Sequence, residues 1–548
     1  MGFGYFGNRL STLTIGRGTY DYAYEGTSGN LETVTAPEGA STTFGYDGSL
    51  VTSETTTGTI SGSIGWTYDN DFRLHTETLA GNTTTYGYDP DSLLTTAGPL
   101  TITRDPGNGL PSGTTAGIID ETIGWNGYAE PHTDQYTAKG SPAFGESFTR
   151  DDGGRITQID ESRYGLTFTR NFDYDTAGRL WKAYTNGQLD AEYQYDDNGN
   201  RKAKTTTSGT ITYTVDDQDR LISSSDGTTY TYAPNGELAT KTDTTGTTSY
   251  SYDELGNLLK VTKADGTVIE YVIDGLNRRV GKKVNGTLLQ GWLWRNQLQI
   301  AAQTDGTGTI TKRFVYATRA NVPDLMIAGG TTYRLVVDHL GSVRYVLDTT
   351  TGTITDSVDY DEFGNVRSDS NPGFQPFGFA GGLYDRDTGL VRFGARDYDP
   401  HTGRWTSKDP LLFWGNSRSF YDWTANIYQY CDGDPVNFFD PSGLEMDSVS
   451  RSMQEAIARG DADEIAQILD EAGETLPDKL RAAAQKALQR FRSKAKDVIS
   501  KECKGSINRE FPEQLREKSL SQIWKEAREG NKAAQTAKKL LSDSRLRK

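Results

Sequence analysis

Short runs of alternating large and small or polar side chains recur along the first 440 residues of the chain. Runs such as GTTYTY, TTSYSY and VIEYVI have the period of two residues that is typical of half-buried β-strands. Between the runs stand residue pairs that tolerate the positive φ angles of tight hairpins. They are Asn186-Gly187, Asp226-Gly227, Asp265-Gly266 and Asn285-Gly286. The pattern predicts successive hairpins, which are marginal singly and are therefore expected to pair edge to edge in one sheet.

A second pattern, Tyr-Asp followed by a turn, repeats about every 20 residues. Copies begin at Tyr174 (YDTAGRL), Tyr195 (YDDNGNR), Tyr232 (YAPNGEL) and Tyr252 (YDELGNL), with fainter copies before and after them. Each copy closes one strand-turn unit, so the sequence predicts a repetitive β-shell rather than several unrelated domains.

The pattern changes after Leu444. Apolar residues in SRSMQEAIARGDADEIAQILDEAG and LPDKLRAAAQKALQRFRSKAKDVI recur at helical spacing, and two shorter helical stretches follow. The sequence therefore predicts a small, largely α-helical domain over residues 445–548.

Charge divides the chain at the same point. Residues 1–444 hold 35 basic and 56 acidic residues, whereas residues 445–548 hold 22 basic and 18 acidic residues. Within residues 481–548 the net charge is +11. If the acidic groups face inward, the β-shell could hold the basic C-terminal segment by long-range attraction. If they face outward, they could keep the shell soluble.

Composition excludes several other classes of protein. The two cysteines, Cys431 and Cys503, lie far apart and predict neither a disulfide framework nor a thiolate metal site. No run approaches 18 apolar residues, and the start MGFGYFGNRL lacks a secretory signal pattern. That start is typical of the end of a strand-turn unit, so we expect the chain to be a piece of a longer protein. No cofactor or metal is predicted.

Residues 338–444 carry three distinctive motifs in order. They are DHLGSVRYVLDTTTG, GGLYDRDTGLVRFGARDYDPHTGRWTSKDPL and NIYQYCDGDPVNFFDPSGL. Together with the Tyr-Asp repeats, they resemble the YD-repeat or RHS-repeat family and its associated core domain. The resemblance implies a mainly β fold: a hairpin sheet that spirals into a hollow cocoon over residues 1–335, a core domain over 336–444 and a variable toxin over 445–548.

The resemblance also implies self-cleavage. Core domains of this family resemble aspartyl proteases that cut after the leucine of DPSGL, so the predicted scissile bond is Leu444–Glu445. By motif, the catalytic candidates are Asp409, Asp440 and Arg396. Two carboxyl groups that share one proton can activate water and protonate the substrate, while an arginine lowers the pKa of one of them or holds the developing oxyanion.

Alternatives exist for each of these residues. DPSGL alone is an ordinary β-turn. Three further carboxylates lie nearby, and Arg404 could replace Arg396; the carboxylates are Asp399, Asp432 and Asp434. His339 and His401 stand in turn-like motifs without ligand partners, so structural roles are expected for them.

The segment after Leu444 is expected to be the effector. Its basic end favours a nuclease, an RNase before a DNase, because lysine and arginine bind phosphates. It contains no histidine, so its candidate residues are Glu510, Arg509 and Lys504. A membrane-active toxin and a nucleotide-dependent modifier are alternatives, although neither a long apolar helix nor a dinucleotide pocket is evident.

The resemblance also implies the expected partners. They are the protein's own C-terminal domain as an encapsulated guest, a cognate immunity protein, a secretion or delivery machine and nucleic acid as the toxin's substrate. The resemblance implies a bacterial protein that is secreted or delivered into a target cell without a classical signal peptide. A rival interpretation is an uncut, wall-associated YD-repeat adhesion protein, in which residues 440–444 form only a turn.

Overall fold

The computed structural model describes residues 1–127, 130–410 and 426–444, together with scattered positions between 512 and 537. The chain divides into two compact units, Met1–Met446 and Asp447–Lys548. The first unit contains a sheet of 36 strands and a second sheet of four. The predicted mainly β fold and its continuous hairpin sheet are confirmed.

The large sheet is a meander. Each of its strands pairs antiparallel with the next strand along the chain, from β1 to β36. The first twenty strands are β1 Gly2–Phe6, β2 Arg9–Ile15, β3 Gly18–Tyr24, β4 Leu31–Thr35, β5 Ser41–Asp47, β6 Leu50–Thr56, β7 Gly62–Tyr68, β8 Leu74–Leu79, β9 Asn82–Tyr88, β10 Leu94–Ala97, β11 Leu100–Arg104, β12 Pro111–Ala116, β13 Ile119–Trp125, β14 Pro131–Ala138, β15 Ser141–Arg150, β16 Ile156–Arg163, β17 Leu166–Tyr174, β18 Leu180–Thr185, β19 Gln188–Tyr195 and β20 Arg201–Thr206.

Consecutive strands remain paired antiparallel to the end of the meander, and the small sheet β37–β40 follows it. The remaining strands are β21 Gly209–Val215, β22 Leu221–Ser224, β23 Thr229–Tyr232, β24 Leu238–Asp243, β25 Gly246–Tyr252, β26 Leu258–Thr262, β27 Val268–Ile273, β28 Arg279–Val284, β29 Thr287–Trp294, β30 Ile300–Asp305, β31 Ile310–Val315, β32 Leu325–Ala328, β33 Thr331–Val337, β34 Val343–Asp348, β35 Ile354–Tyr360, β36 Val366–Asp369, β37 Leu383–Asp385, β38 Leu390–Phe393, β39 Arg396–Asp399 and β40 Arg404–Trp405. Short 3₁₀ turns span Phe379–Gly381, Cys431–Gly433 and Glu513–Leu515.

The Tyr-Asp repeat is explained by hydrogen bonds at the end of each hairpin. In the copy at Asp175, one carboxylate oxygen accepts the backbone N–H groups of Ala177 and Arg179, each at 2.9 Å, and the other accepts Arg179 Nε at 2.7 Å. The preceding Tyr174 hydroxyl donates to the backbone carbonyl of Ile156 at 2.5 Å. Aspartate therefore satisfies the N–H groups of its own turn, and tyrosine ties the turn to the previous strand.

One face of the sheet is buried because early strands pack against late ones. Ile60, Ile64 and Trp66 share a hydrophobic cluster with Trp292 and Leu293. Farther along, Ile119, Tyr136 and Phe144 cluster with Val336 and Leu347 in the same way.

Acid–base pairs cross this buried face. Early strands supply the acid, and late strands or the turns next to them supply the base. The pairs are Glu54–Arg278 (2.5 Å), Glu77–Arg295 (2.9 Å), Glu121–Arg334 (2.9 Å), Glu146–His339 (3.6 Å) and Glu161–Arg344 (3.2 Å). These carboxylates have partners within the chain, so they do not form a free acidic lining for a basic guest.

In the second unit the described residues are few. Leu515, Ile523, Ala534 and Ala537 are buried, and Lys518 forms an ion pair with Glu526. The predicted helical domain falls mostly outside the described residues and stays a prediction, as do the exact domain boundaries.

Candidate functional site

The candidate site lies on the small sheet, above a cluster of buried aromatic side chains. Phe393 of β38, Tyr398 of β39 and Trp405 of β40 pack with Tyr430 in one cluster. Phe393 and Tyr430 are stacked with ring centroids 6.0 Å apart, and Tyr398 lies 4.3 Å from Tyr430. Packed aromatic rings form a rigid cluster that holds the neighbouring polar groups in place.

Arg396, the first residue of β39, joins the two predicted catalytic carboxylates. Its Nη2 atom lies 3.0 Å from Asp409 Oδ2 and 3.3 Å from Asp440 Oδ2. Its guanidinium carbon lies 4.2 Å from the centroid of the Trp405 ring, which fixes the plane of the side chain. The structure therefore brings together the three side chains that the motifs predicted.

The three groups differ in burial. Arg396 and Asp440 have side chains that are 4% and 3% exposed, whereas the Asp409 side chain is 23% exposed. Burial raises the pKa of Asp440; the cation of Arg396 and the Ser442 hydroxyl oppose this rise, and the nearby Asp409 adds to it. Burial likewise lowers the pKa of Arg396 against the pull of both carboxylates. Asp440 therefore takes up a proton more readily than an exposed aspartate.

The predicted cleavage motif forms a tight turn on top of Arg396. Arg396 Nε donates to the carbonyl oxygen of Gly443 at 2.5 Å. The Leu444 N–H donates to Asp440 Oδ1 at 3.3 Å and to Ser442 Oγ at 3.1 Å. Leu444 is thus held by its amide at the side chain of Asp440, while Glu445 lies outside the described residues.

Close backbone contacts leave no room for larger residues at this turn. Gly443 has a φ of +65°, and a Cβ atom there would lie 2.2 Å from the carbonyl oxygen of Phe393. The Ala395 N–H also donates to the Ser442 carbonyl at 2.8 Å. The turn therefore docks by its backbone onto the loop between β38 and β39.

The segment that leads into the turn is anchored to the large sheet. Asn437 accepts the Ile156 N–H at 2.8 Å and donates to the Tyr174 hydroxyl at 2.9 Å. His339 Nε2 lies 2.8 Å from the carbonyl oxygen of Val436. Burial lowers the pKa of His339, but Glu146 and the Val436 carbonyl outweigh this effect, so the pKa is raised above its usual value. The role of His339 is thus a structural contact between shell and core.

The alternative residues lie in other environments. Arg404 donates to Asn200 Oδ1 at 2.9 Å rather than joining the carboxylate pair. Asp399 accepts the backbone N–H of His401 within its own turn, and Asp434 binds the amide of Asn437. Burial raises the pKa of Asp434 to about 6. Asp432 is exposed.

Two residues of this site were not among the sequence candidates. Trp405 supports Arg396, and Ser442 donates from Oγ to Asp440 Oδ1 at 3.0 Å. The signal for Ser442 was its place two residues after an aspartate, where hydroxyl groups commonly bond within turns. No local pattern pairs Trp405 with an arginine nine residues earlier.

The remaining predictions are largely beyond the described residues. Glu510, Arg509, Lys504 and Cys503 lie outside them. Among the described residues, there is no group of three or more metal-ligating side chains suited to an ion, and no helix long and apolar enough to cross a bilayer.

Comparisons with known proteins support the same fold. The sequence profile of the Teneurin YD-shell family matches residues 6–436. Human Teneurin-4 is 26% identical over 454 residues, which cover 76% of this chain and 16% of the relative. The tRNA3(Ser)-specific nuclease WapA of Bacillus spizizenii is 25% identical over 301 residues, covering 54% of this chain and 11% of that protein. The chain thus spans about one sixth of the length of the first of these relatives and less of the second.

Solved structures share the architecture at low identity. The crystal structure of TcdB2-TccC3-TEV has a TM-score of 0.54 and 15% identity, covering 80% of this chain and 24% of that one. The Photorhabdus luminescens Tc holotoxin pore gives a TM-score of 0.54 at 15% identity, with 80% and 26% covered. The fold is therefore that of the Tc toxin shell.

The profile match covers the meander, the small sheet and most of the closing segment, which confirms the resemblance carried by the Tyr-Asp repeats. This chain belongs to the teneurin YD-shell family, a family of YD/RHS-repeat shell proteins.

Proposed function

We propose that this chain is a bacterial RHS-repeat toxin that cuts itself after Leu444 and so releases its C-terminal effector. The observation that carries the proposal is the contact of one buried arginine, Arg396, with both Asp409 and Asp440, beside the amide of Leu444. An ordinary turn at a domain boundary has no need for two carboxyl groups and an arginine to converge on it.

The chemistry follows from a shared proton. In this proposal Asp409 and Asp440 share one proton, because two neighbouring carboxylates repel each other, so one is ionised and the other is protonated. The ionised group takes a proton from a water molecule that attacks the Leu444 carbonyl carbon, and the protonated group donates its proton to the nitrogen of Glu445. The peptide bond breaks, leaving a carboxyl group on Leu444 and an amine on Glu445.

The contacts of Arg396 favour one of its two predicted roles. Nη2 faces both carboxylates and Nε is bonded to the Gly443 carbonyl. With these atoms engaged, Arg396 holds the negative charge of the pair and orients the turn. Because cleavage is intramolecular and occurs once per chain, this fixed geometry supplies much of the rate.

The released effector, residues 445–548, acts as a nuclease in this proposal, with RNA favoured over DNA. The support is the +11 charge of residues 481–548 and the similarity of the shell to a protein named as a tRNA nuclease. The shell retains this guest until a delivery machine transfers it into a target cell, and an immunity protein protects the producing cell.

Intact mass analysis of purified full-length protein tests the cleavage. We expect two species from the wild type, with the new C-terminus at Leu444, and one species from Asp409→Asn. A single wild-type species would support the rival, uncut adhesion protein and would refute self-cleavage.

A separate assay tests the effector. Cleaved wild-type protein is unfolded and refolded to release the guest, then incubated with labelled RNA, labelled DNA or dye-loaded liposomes. RNA degradation is expected; dye leakage without degradation would replace the nuclease with a membrane-active toxin.

A further inference from the structure

The turn at residues 440–444 shares an aspartate–amide hydrogen bond and a left-handed glycine with the Tyr-Asp repeat turns. In the repeat turn at Asp151, Oδ1 accepts the Arg155 N–H, four residues later, at 3.0 Å, and Gly154 has a φ of +85°. In the closing turn, Asp440 Oδ1 accepts the Leu444 N–H, also four residues later, at 3.3 Å, and Gly443 has a φ of +65°. The aspartate, the glycine three residues on and the bond to the fourth residue are common to both.

The repeat turn also has a backbone bond from the Gly154 N–H to the Asp151 carbonyl at 2.9 Å. A second difference lies two residues after the aspartate. At Asp151 that position is Gly153, whose backbone N–H donates to Oδ1 at 2.9 Å. In the closing turn the side chain of Ser442 donates to Asp440, in addition to the Gly443 N–H. Its Oγ atom donates to Asp440 Oδ1 at 3.0 Å and accepts the Leu444 N–H at 3.1 Å.

We infer that Ser442 is a positioning residue for self-cleavage, which holds Asp440 in its reactive orientation and fixes the amide of Leu444 next to the scissile bond. This inference rests on the proposed self-cleavage. Ser442 does not act on the attacked carbonyl in this scheme; it acts through Asp440 and through the backbone of Leu444.

The hydroxyl can serve both neighbours because it is donor and acceptor at once. Its single proton points to Asp440 Oδ1, and a lone pair receives the Leu444 N–H. A hydrogen bond to a carboxylate favours the ionised form, in which Asp440 can act as the base. The hydrogen bonds to its N–H hold the Leu444 nitrogen beside Asp440, which limits how far the scissile bond of the same residue can move from the carboxyl pair.

The test follows cleavage during cell-free synthesis of the full chain between pH 6.5 and 8.5, sampled over time by gel and intact mass. Ser442→Ala is compared with Ser442→Thr, which keeps the hydroxyl, and with Ser208→Ala in an exposed hairpin turn. We expect Ser442→Ala to cut about tenfold more slowly at neutral pH, because a hydrogen bond to a charged group is lost. The acid limb of its pH–rate profile should also lie at higher pH than that of the wild type, because the lost bond favours the ionised form of Asp440.

The threonine variant distinguishes loss of the hydroxyl group from a general effect of substitution on folding. Ser442→Thr should cut within about threefold of the wild type, a difference of under 1 kcal/mol in the barrier, and Ser208→Ala should match it. An unchanged rate and pH profile in Ser442→Ala would overturn the inference, as would a threonine variant no faster than the alanine one. An uncut wild type would instead overturn the proposed function itself.

Discussion

The turns at Asp151 and Asp440 place the same aspartate–amide bond and left-handed glycine in two environments. Asp151 binds the guanidinium of its own turn, with Arg155 Nε at 2.8 Å from Oδ2, and its side chain is 25% exposed. Asp440 is 3% exposed and takes its guanidinium from a separate strand, through Arg396. The first turn is complete within five residues, whereas the second depends on the folded core around it.

This difference changes the proton chemistry of the same side chain. At Asp151, slight burial is outweighed by the bonds from Arg155, and the pKa is lowered below its usual value. At Asp440, burial outweighs Arg396, and the pKa is raised. A repeat turn that only closes a hairpin can therefore become a candidate acid–base group when it is buried beside a second carboxyl group.

Replacement of Arg396, the cation that the buried turn takes from a separate strand, should have the largest combined effect on cleavage and stability. In Arg396→Met, Asp440 stays buried without its partner, so we expect self-cleavage to fall at least 100-fold. In an uncut Asp409→Asn background the same change should lower the free energy of unfolding by about 3 kcal/mol, measured by urea denaturation.

The matched change is Arg155→Met, where the pair is on the surface. This substitution should lower the free energy of unfolding by less than about 1 kcal/mol and leave the cleavage rate unchanged. Equal losses for the two arginines would show that the turns do not differ in the way described.

The two turns also differ in the space around the glycine that stands three residues after the aspartate. Gly443→Ala places a Cβ atom 2.2 Å from the Phe393 carbonyl oxygen, so the turn must move away from Arg396. At Gly154 the nearest atom to a new Cβ is Glu130 Oε1, at 3.4 Å. We expect Gly443→Ala to slow cleavage at least tenfold, whereas Gly154→Ala should only destabilise the shell by about 1 kcal/mol through its positive φ. Time courses of intact mass and thermal melts of both variants would check this.

The pH dependence of stability should have opposite signs at the two turns. Because the folded pKa of Asp440 is raised, its contribution is fully present below the unfolded value of about 3.9 and is lost as pH rises through the folded pKa. Because the pKa of Asp151 is lowered, its contribution is present above about 3.9 and is lost as pH falls.

Urea denaturation of Asp440→Asn and Asp151→Asn, both in the Asp409→Asn background, measures this contrast. Burial, the main cause of the raised pKa, remains there. From pH 3 to pH 7, the stability of Asp440→Asn relative to its background should rise, and that of Asp151→Asn should fall, each by on the order of 1 kcal/mol. The same sign at both positions would contradict the assigned proton affinities.

Much of the sheet could be predicted because its turns are local. Asn186-Gly187 and Asn285-Gly286 adopt the positive φ angles that the residue pairs predicted. Ala80 and Lys139 adopt the same left-handed geometry without such a signal, and a glycine follows each of them. There the pairing of the flanking strands fixes the turn and overrides the preference of the residue.

The site was predictable only through motifs. Arg396, Asp409 and Asp440 stand far apart in sequence, and no periodicity indicates that they meet. The support from Trp405 and the closing contacts of Asn437 and His339 depend on tertiary packing, so neither the sequence patterns nor the motifs could predict them. Ser442 had a local signal, but its second bond, from Leu444, appears only once the turn is folded.

Intact mass analysis of three full-length proteins, the wild type, Asp440→Asn and Asp151→Asn, compares the buried turn at Asp440 with the repeat turn at Asp151 as sites of cleavage. Self-cleavage by Asp440 predicts two fragments that separate after Leu444 for the wild type and for Asp151→Asn, and one uncut chain for Asp440→Asn. Cleavage that persists in Asp440→Asn, or that is lost equally in Asp151→Asn, would contradict it.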